Sequence, residues 1–218
     1  MLNNRQAILA IRTQLLTVEV TTTGSTTLAA TATGFTRATG SFITDDFVVG
    51  QEVTPSGFTN NAVAVIKSVT ATEIVVDTAR PVEVAASGRT IKVGLPELRA
   101  WENKELRPND RRWFIEEEFI PGVNRVVTSG PLAEIDHEPM YVVKVYGLPN
   151  RGVGALYNMA DGILDTFRPR LALTLVDTTV LRVTSINAPY RGQVMLDADG
   201  FALIVVTIPF WARTRNTI

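Results

Sequence analysis

Glu134, Asp136, His137 and Glu138 are the densest cluster of groups able to do chemistry in this 218-residue chain. Three carboxylates and an imidazole have the donor set for a divalent cation. Pro139 follows at once and biases the backbone toward extended conformations, so the stretch reads as a solvated acidic loop entering a strand. His137 is the one histidine, and there is no cysteine. Composition therefore excludes multi-histidine zinc sites, thiolate metal sites, iron–sulfur clusters, disulfides and cysteine nucleophiles. No Gly-x-Ser-x-Gly elbow accompanies His137, so a serine triad is not recognisable. A glycosidase-type carboxylate pair needs only to meet in space and stays open. The aromatic residues are too few and scattered to suggest a sugar platform.

The segment from Gly147 to Gly154 is the second candidate. Gly147 and Gly152 have the two-glycine spacing of a phosphate-binding loop. Val153-Gly154 stands where that loop needs Lys then Ser or Thr to hold phosphate and magnesium. The dinucleotide pattern fails too, because Tyr157 occupies the place of its third glycine. The segment reads as a tight strand-to-helix turn, and no cofactor or metal is assigned.

The elements around these residues fall into three textures. A helix is predicted from Asn3 or Asn4, either able to cap it, to about Leu16, with Ile8, Ile11 and Leu15 on one face and Leu9 and Leu16 beside them. From about Val18 to Leu98 the chain is rich in Thr, Val, Ala and Gly. Short β-like runs such as Ala62–Ile66 and Glu73–Asp77 alternate with glycine turns, which predicts a small β-sandwich or barrel. Phe35, Phe42, Phe47 and Phe58 supply its core, which a disordered Thr-rich segment would lack. Beyond Pro96, residues 99–112 read as a long ordered loop. Arg112–Ile120 reads as a strand with Trp113, Ile115 and Phe119 on one face, interrupted by Glu117. Met140–Tyr146 is a second strand. A helix over Ala155–Phe167, with Leu156, Met159, Ala160, Ile163, Leu164 and Phe167 as its apolar face, is stopped by Pro169. Strands follow near Leu171–Leu175, Val180–Asn187 and Phe201–Trp211. Gln193–Leu196 is a further pairing segment, with Asp197–Gly200 as a hairpin turn.

Charge and length bound the function. The net charge is −1, from 21 basic and 22 acidic side chains, which argues against a general nucleic-acid binder. The basic residues comprise 17 arginines and 4 lysines. Arginine is the cation favoured in contacts, so the excess points to interfaces. No stretch reads as a signal peptide or membrane span: Phe201–Trp211, the longest apolar run, is about half of the ~20 residues a span requires.

A family resemblance adds what chemistry does not. Ala100-Trp101-Glu102-Asn103, then Pro108 and Trp113, resemble a signature of tail terminator proteins of long-tailed bacteriophages. Gly130-Pro131-Leu132 before the strand Tyr141–Val145 continues the pattern. So do Pro149, Gly152 and Gly154 ahead of a helix with Ala160-Asp161 and Phe167, and the strand Phe201–Trp211. The likeness covers residues 1–16 and about 97–218; the intervening region departs from it and looks like small β-modules of other phage tail proteins.

The resemblance implies an α+β fold, a mixed or antiparallel sheet backed by two helices. Residues 1–17 and 97–218 would form the core, and 18–96 an inserted small all-β domain. It implies a homo-hexameric ring in the virion, assembled in the bacterial host cytoplasm. The ring would cap the tail tube, stop its polymerisation and meet head-completion or neck proteins. DNA would pass through without being held, and no bond would be made or broken. On that reading Trp101, Glu102, Asn103, Arg111, Arg151, Trp211, Arg213 and Arg215 are assigned to subunit or partner contacts. Glu116 and Glu118, or else Glu117 on the other face of the strand, are assigned to the channel wall, because carboxylates repel phosphate; an edge kept acidic against aggregation is the competing reading. Trp113, in an alternating strand, is assigned to the core. Another neck or tail-tube protein is the nearest alternative. A carbohydrate-binding or metal-assisted hydrolytic module, using the region 18–96 and Glu134–Glu138, is the alternative of another class.

Overall fold

In the computed structural model, which describes residues 2–23, 27–97, 99–101, 113–130, 132–148, 153–198 and 200–215, the chain opens with a capped helix. Helix α1 spans Asn4–Leu15, and the Asn3 side chain accepts from the Gln6 N–H at 3.2 Å. Its inner face is Ala7, Ile11 and Leu15, all fully buried, whereas Leu9 and Leu16 are exposed.

Eight strands follow: β1 (Glu19–Thr22), β2 (Leu28–Thr31), β3 (Gly34–Arg37), β4 (Glu52–Ser56), β5 (Ala64–Val69), β6 (Glu73–Val76), β7 (Glu83–Ala86) and β8 (Thr90–Gly94). They form one sheet in the order β1-β8-β4-β5-β6-β3-β2-β7, with antiparallel neighbours throughout. The four phenylalanines are buried as expected and meet edge to face: Phe35 with Phe58 at 5.1 Å, Phe42 with Phe47 at 5.5 Å. Arginines close over these rings. Arg80 lies 4.6 Å from the Phe35 ring and donates to the Asn60 and Ala62 carbonyls. Arg89 covers Phe58 at 4.7 Å, and Arg37 covers Phe42 at 4.9 Å. A planar guanidinium can stack on a ring while its edge serves loop carbonyls, which an ammonium cannot do. Much of the arginine excess is therefore spent inside the chain.

The second sheet contains β9 (Arg99–Trp101), β10 (Phe114–Ile120), β11 (Asn124–Val126), β12 (Glu134–His137) and β13 (Met140–Gly147). After helix α2 (Gly154–Thr166) come β14 (Ala172–Thr174), β15 (Val180–Val183), β16 (Tyr190–Arg191), β17 (Met195–Leu196) and β18 (Ala202–Arg215). Strand β18 is the spine. On one edge it pairs with β13 and then, in the same register, with β12; on the other it pairs with β17, β16 and β15. Pro139 and Pro209 lie at the β12–β13 junction, where a missing N–H costs least. Every pair is antiparallel except β9 with β10. The fold is mostly β with two helices and mixed and antiparallel sheets, compatible with α+β.

The inner face of this sheet carries Trp113, Ile115, Phe119, Tyr141, Val143, Val145, Ile204, Val206, Ile208 and Phe210, all buried. Helix α2 meets it with Leu156, Met159, Ala160 and Ile163. Burial of each such side chain is worth about 1.5–3 kcal/mol. Trp113 reaches the turn that precedes β4: its indole N–H donates to the Val49 carbonyl at 3.2 Å.

Three expectations are corrected. Arg99–Trp101 is a strand and not part of a loop, because its backbone pairs in parallel with β10. Residues 102–112, the remainder of that predicted loop, lie outside the described residues. Glu134–His137 is a paired strand and not a solvated turn, since β18 runs on to Arg215 and offers it a partner. The strand predicted over Val180–Asn187 ends at Val183, where β18 turns to other partners. No described helix is long and apolar enough to cross a membrane.

Candidate interaction surface

Alternation along β10 separates the three consecutive glutamates. Glu117 points inward and is 1% exposed, so it cannot line a channel, and of the two alternatives only Glu116 and Glu118 remain. Its carboxylate accepts from Arg12 Nε of α1 at 3.2 Å, from Arg99 Nη1 of β9 at 3.1 Å, and from the Tyr141 hydroxyl of β13. Burial and the facing carboxylate both push the Tyr141 phenol above its ordinary pKa, so it remains a donor. Four elements meet at this one side chain.

Glu116 and Glu118 face outward, both partly exposed. Glu116 accepts from Lys144 Nζ and the Tyr146 hydroxyl, each at 2.9 Å. Partial burial opposes its ionisation, but these two bonds and the Lys144 charge outweigh it and hold its pKa below the usual range. Phe114 stacks on Tyr146 at 4.3 Å beside them.

The same outward face, followed toward the end of β18, opens into a cleft of about 1000 Å³. Trp211, Pro209 and Met140 line it from the sheet. Pro121, Gly122, Val123 and Arg125 line it from the segment after β10, and Thr184–Asn187 from the segment after β15. Val123 and Ile186, in those segments, are 65% and 94% exposed. Arg182 of β15 is the cross-strand partner of Trp211 and so shares its face. Arg170 follows Pro169 with a left-handed backbone, φ 73°, and also lines the cleft. Both are exposed and make no ion pair among the described residues. Arg125 is only loosely paired, with Glu138 at 3.7 Å.

Three of the residues assigned to contacts from the sequence, Trp211, Arg213 and Arg215, alternate along β18 and so share its face. Trp211 lies in the cleft, and the Arg213 guanidinium stands 5.4 Å over its ring. Arg213 also grips Asp136 of β12 through two bonds, 2.7 and 3.0 Å, which hold that carboxyl below its ordinary pKa. Arg215 is 3.5 Å from Glu134. For Trp101, the backbone ends β9 but the side chain lies outside the described residues, as do Glu102, Asn103, Arg111 and Arg151. Arg125, Arg170 and Arg182 were not singled out from the sequence. An arginine between Leu181 and Val183 in an alternating strand does signal an outward face, but only the pairing with β18 shows what lies beside it.

Glu134, Asp136 and His137 do not converge on a cation. Glu134 and Asp136 face Arg213, while His137 projects from the opposite side of β12 and is 3% exposed. The His137 ring lies between Asn124 Oδ1 at 2.6 Å, to which Nδ1–H donates, and the Thr214 hydroxyl at 2.8 Å, whose proton Nε2 accepts. Burial lowers its pKa, with Asp136 opposing. The unfolded chain thus takes up this proton at higher pH than the native one does. Its contribution is complete above the unfolded value of about 6.5 and declines as the pH falls below it. The urea midpoint is expected to be lower at pH 5.5 than at pH 7.5, and His137→Gln is expected to flatten that slope; equal slopes in both proteins would contradict this.

No family model and no curated protein matches the chain. One solved structure aligns with 55% of this chain and 79% of its own, at 16% identity and a TM-score of 0.42. So distant a likeness bears on neither fold nor function.

Proposed function

We propose that this chain is a structural protein of a long-tailed bacteriophage, a tail terminator that closes the tail tube as a ring. Residues 1–17 and 97–218 are its core, and 18–96 is an inserted small β-domain. The order of motifs from Trp101 to Trp211 suggests the family. The observation that carries an interaction role is Trp211, covered by Arg213 at an open cleft and set beside Arg170 and Arg182, which have no ion pair among the described residues. A large aromatic with arginines around it is the composition of an interface centre.

On this reading copies of the chain form a closed hexamer through a heterologous contact, with the tube protein on one side and head-completion or neck proteins on the other. The mechanism is steric. Glu116 and Glu118 remain the candidates for a channel wall that DNA slides past; Glu117 does not. The ring belongs to the head-proximal end of the tail.

Particles lacking this chain are expected to show overlong or headless tails by electron microscopy. Tails of normal length joined to heads would overturn the reading. Tails absent altogether would favour a tube protein instead.

A further inference from the structure

The cleft beside Trp211 has a chemistry that narrows its occupant, whatever the chain's place in a virion. Its floor and walls are apolar at Met140, Pro209, Val123 and Ile186, and the cleft is open to solvent. Its cations outnumber its anions: Arg125, Arg170 and Arg182 against Glu138. Arg170 and Arg182 have no carboxylate of their own among the described residues, whereas Arg12, Arg37, Arg89, Arg99, Arg191 and Arg213 each have one.

Val123 and Ile186 both line the cleft and are 65% and 94% exposed. We infer that this cleft binds an extended segment of a partner protein in which large apolar side chains alternate with Asp or Glu. The apolar side chains pack against Val123, Ile186 and Trp211. The carboxylates meet the forks of Arg170 and Arg182, where charge-assisted bonds are strongest.

A nucleic-acid strand fits less well. Its phosphates would gain two arginines but face Glu138 and desolvate against Val123, Met140 and Ile186. An enclosed small-molecule site is also disfavoured, because the volume of about 1000 Å³ is at the upper end of the usual ~300–1000 Å³ and the cleft is open to solvent.

The test is a random-peptide display selection on the immobilised full chain. A fluorescent synthetic copy of the most enriched peptide is then titrated by anisotropy. Enriched peptides are expected to carry Asp or Glu next to Leu, Phe or Trp. Their affinity should fall about tenfold or more in Arg182→Gln and in Arg170→Gln, since each removes a bond to a charged group. Both side chains are exposed, so neither variant threatens folding. Ile186→Ser should also weaken binding. Loss of the peptide to an unlabelled single-stranded DNA competitor would assign the cleft to nucleic acid and overturn the proposal. Failure to enrich any peptide, enrichment of sequences without acidic residues, or binding unchanged in both arginine variants would overturn it as well. None of these outcomes bears on tail length in particles lacking the chain, so this inference and the tail reading fail separately.

Discussion

Glu117→Ala is expected to lower folding stability by about 3–5 kcal/mol, because it removes the buried carboxylate that two part-buried arginines share. The Arg99 side chain is 11% exposed and Arg12 32%, so Arg99 bears most of the cost. Arg12 can swing its head toward water. The Tyr141 hydroxyl loses its acceptor at the same time. Glu117→Gln keeps an oxygen acceptor in place and should cost less. Tyr141→Phe leaves both ion pairs intact and should cost about 1 kcal/mol, the usual net worth of one hydrogen bond. Urea unfolding followed by circular dichroism ranks the three. An alanine variant within about 1 kcal/mol of the parent would show that water already solvates the cluster. The reason the network exists at all is positional. The Glu117 carboxylate, midway along β10, holds α1 through Arg12 and the edge strand β9 through Arg99.

Trp113→Ala is the second large effect, expected at about 3–5 kcal/mol. Trp113 is 1% exposed and is wedged between glycines. A Cβ on Gly147 would stand 2.9 Å from the indole Cζ3. One on Gly50, where φ is 89°, would stand 3.0 Å from Cδ1 and 2.6 Å from a Leu148 methyl. Two backbones approach this ring so closely that no neighbouring side chain can refill its space. The variant also strips the Val49 carbonyl of its donor. Trp113→Phe should recover most of the packing and none of that bond. The two variants together also report on coupling between the sheets. Amide exchange in Val48–Gln51 should rise sharply in Trp113→Ala while that of β5 and β6 stays slow. Uniform acceleration across the first sheet would mean that Trp113 supports the whole unit and not just this contact.

Much of the fold was legible along the chain. Asn3 before an apolar period announced α1, and Pro169 announced the end of α2. Alternation in β10 gave its face, and the Thr- and Gly-rich texture gave short paired strands. These signals are local: capping, ring closure at proline and period-two alternation need no knowledge of distant residues. What was not legible involved partners far apart in sequence. The carboxylate of Glu117 sits on an otherwise apolar face, and sequence periodicity could register it only as an interruption. Its partners lie 105 residues before it and 18 and 24 residues away, and nothing local signals that they converge.

The arginine excess shows the same division. Composition established that a planar, permanently charged fork is used in this chain far more often than an ammonium. It did not establish where. Tertiary structure placed Arg37, Arg80 and Arg89 over phenylalanine rings and locked Arg12 and Arg99 on Glu117. It left Arg170 and Arg182 facing an open apolar cleft. Glu134–His137 likewise read as a loop because strand β12 exists only if a neighbour offers a ladder, and that neighbour is the far end of β18. The sequence by itself determined residue chemistry, local element type and facing. Only the tertiary structure decided which charges are neutralised within the chain and which remain for something else. Coulomb and hydrogen-bond energies depend on separation in space, and chain order does not set that separation until the strands have paired.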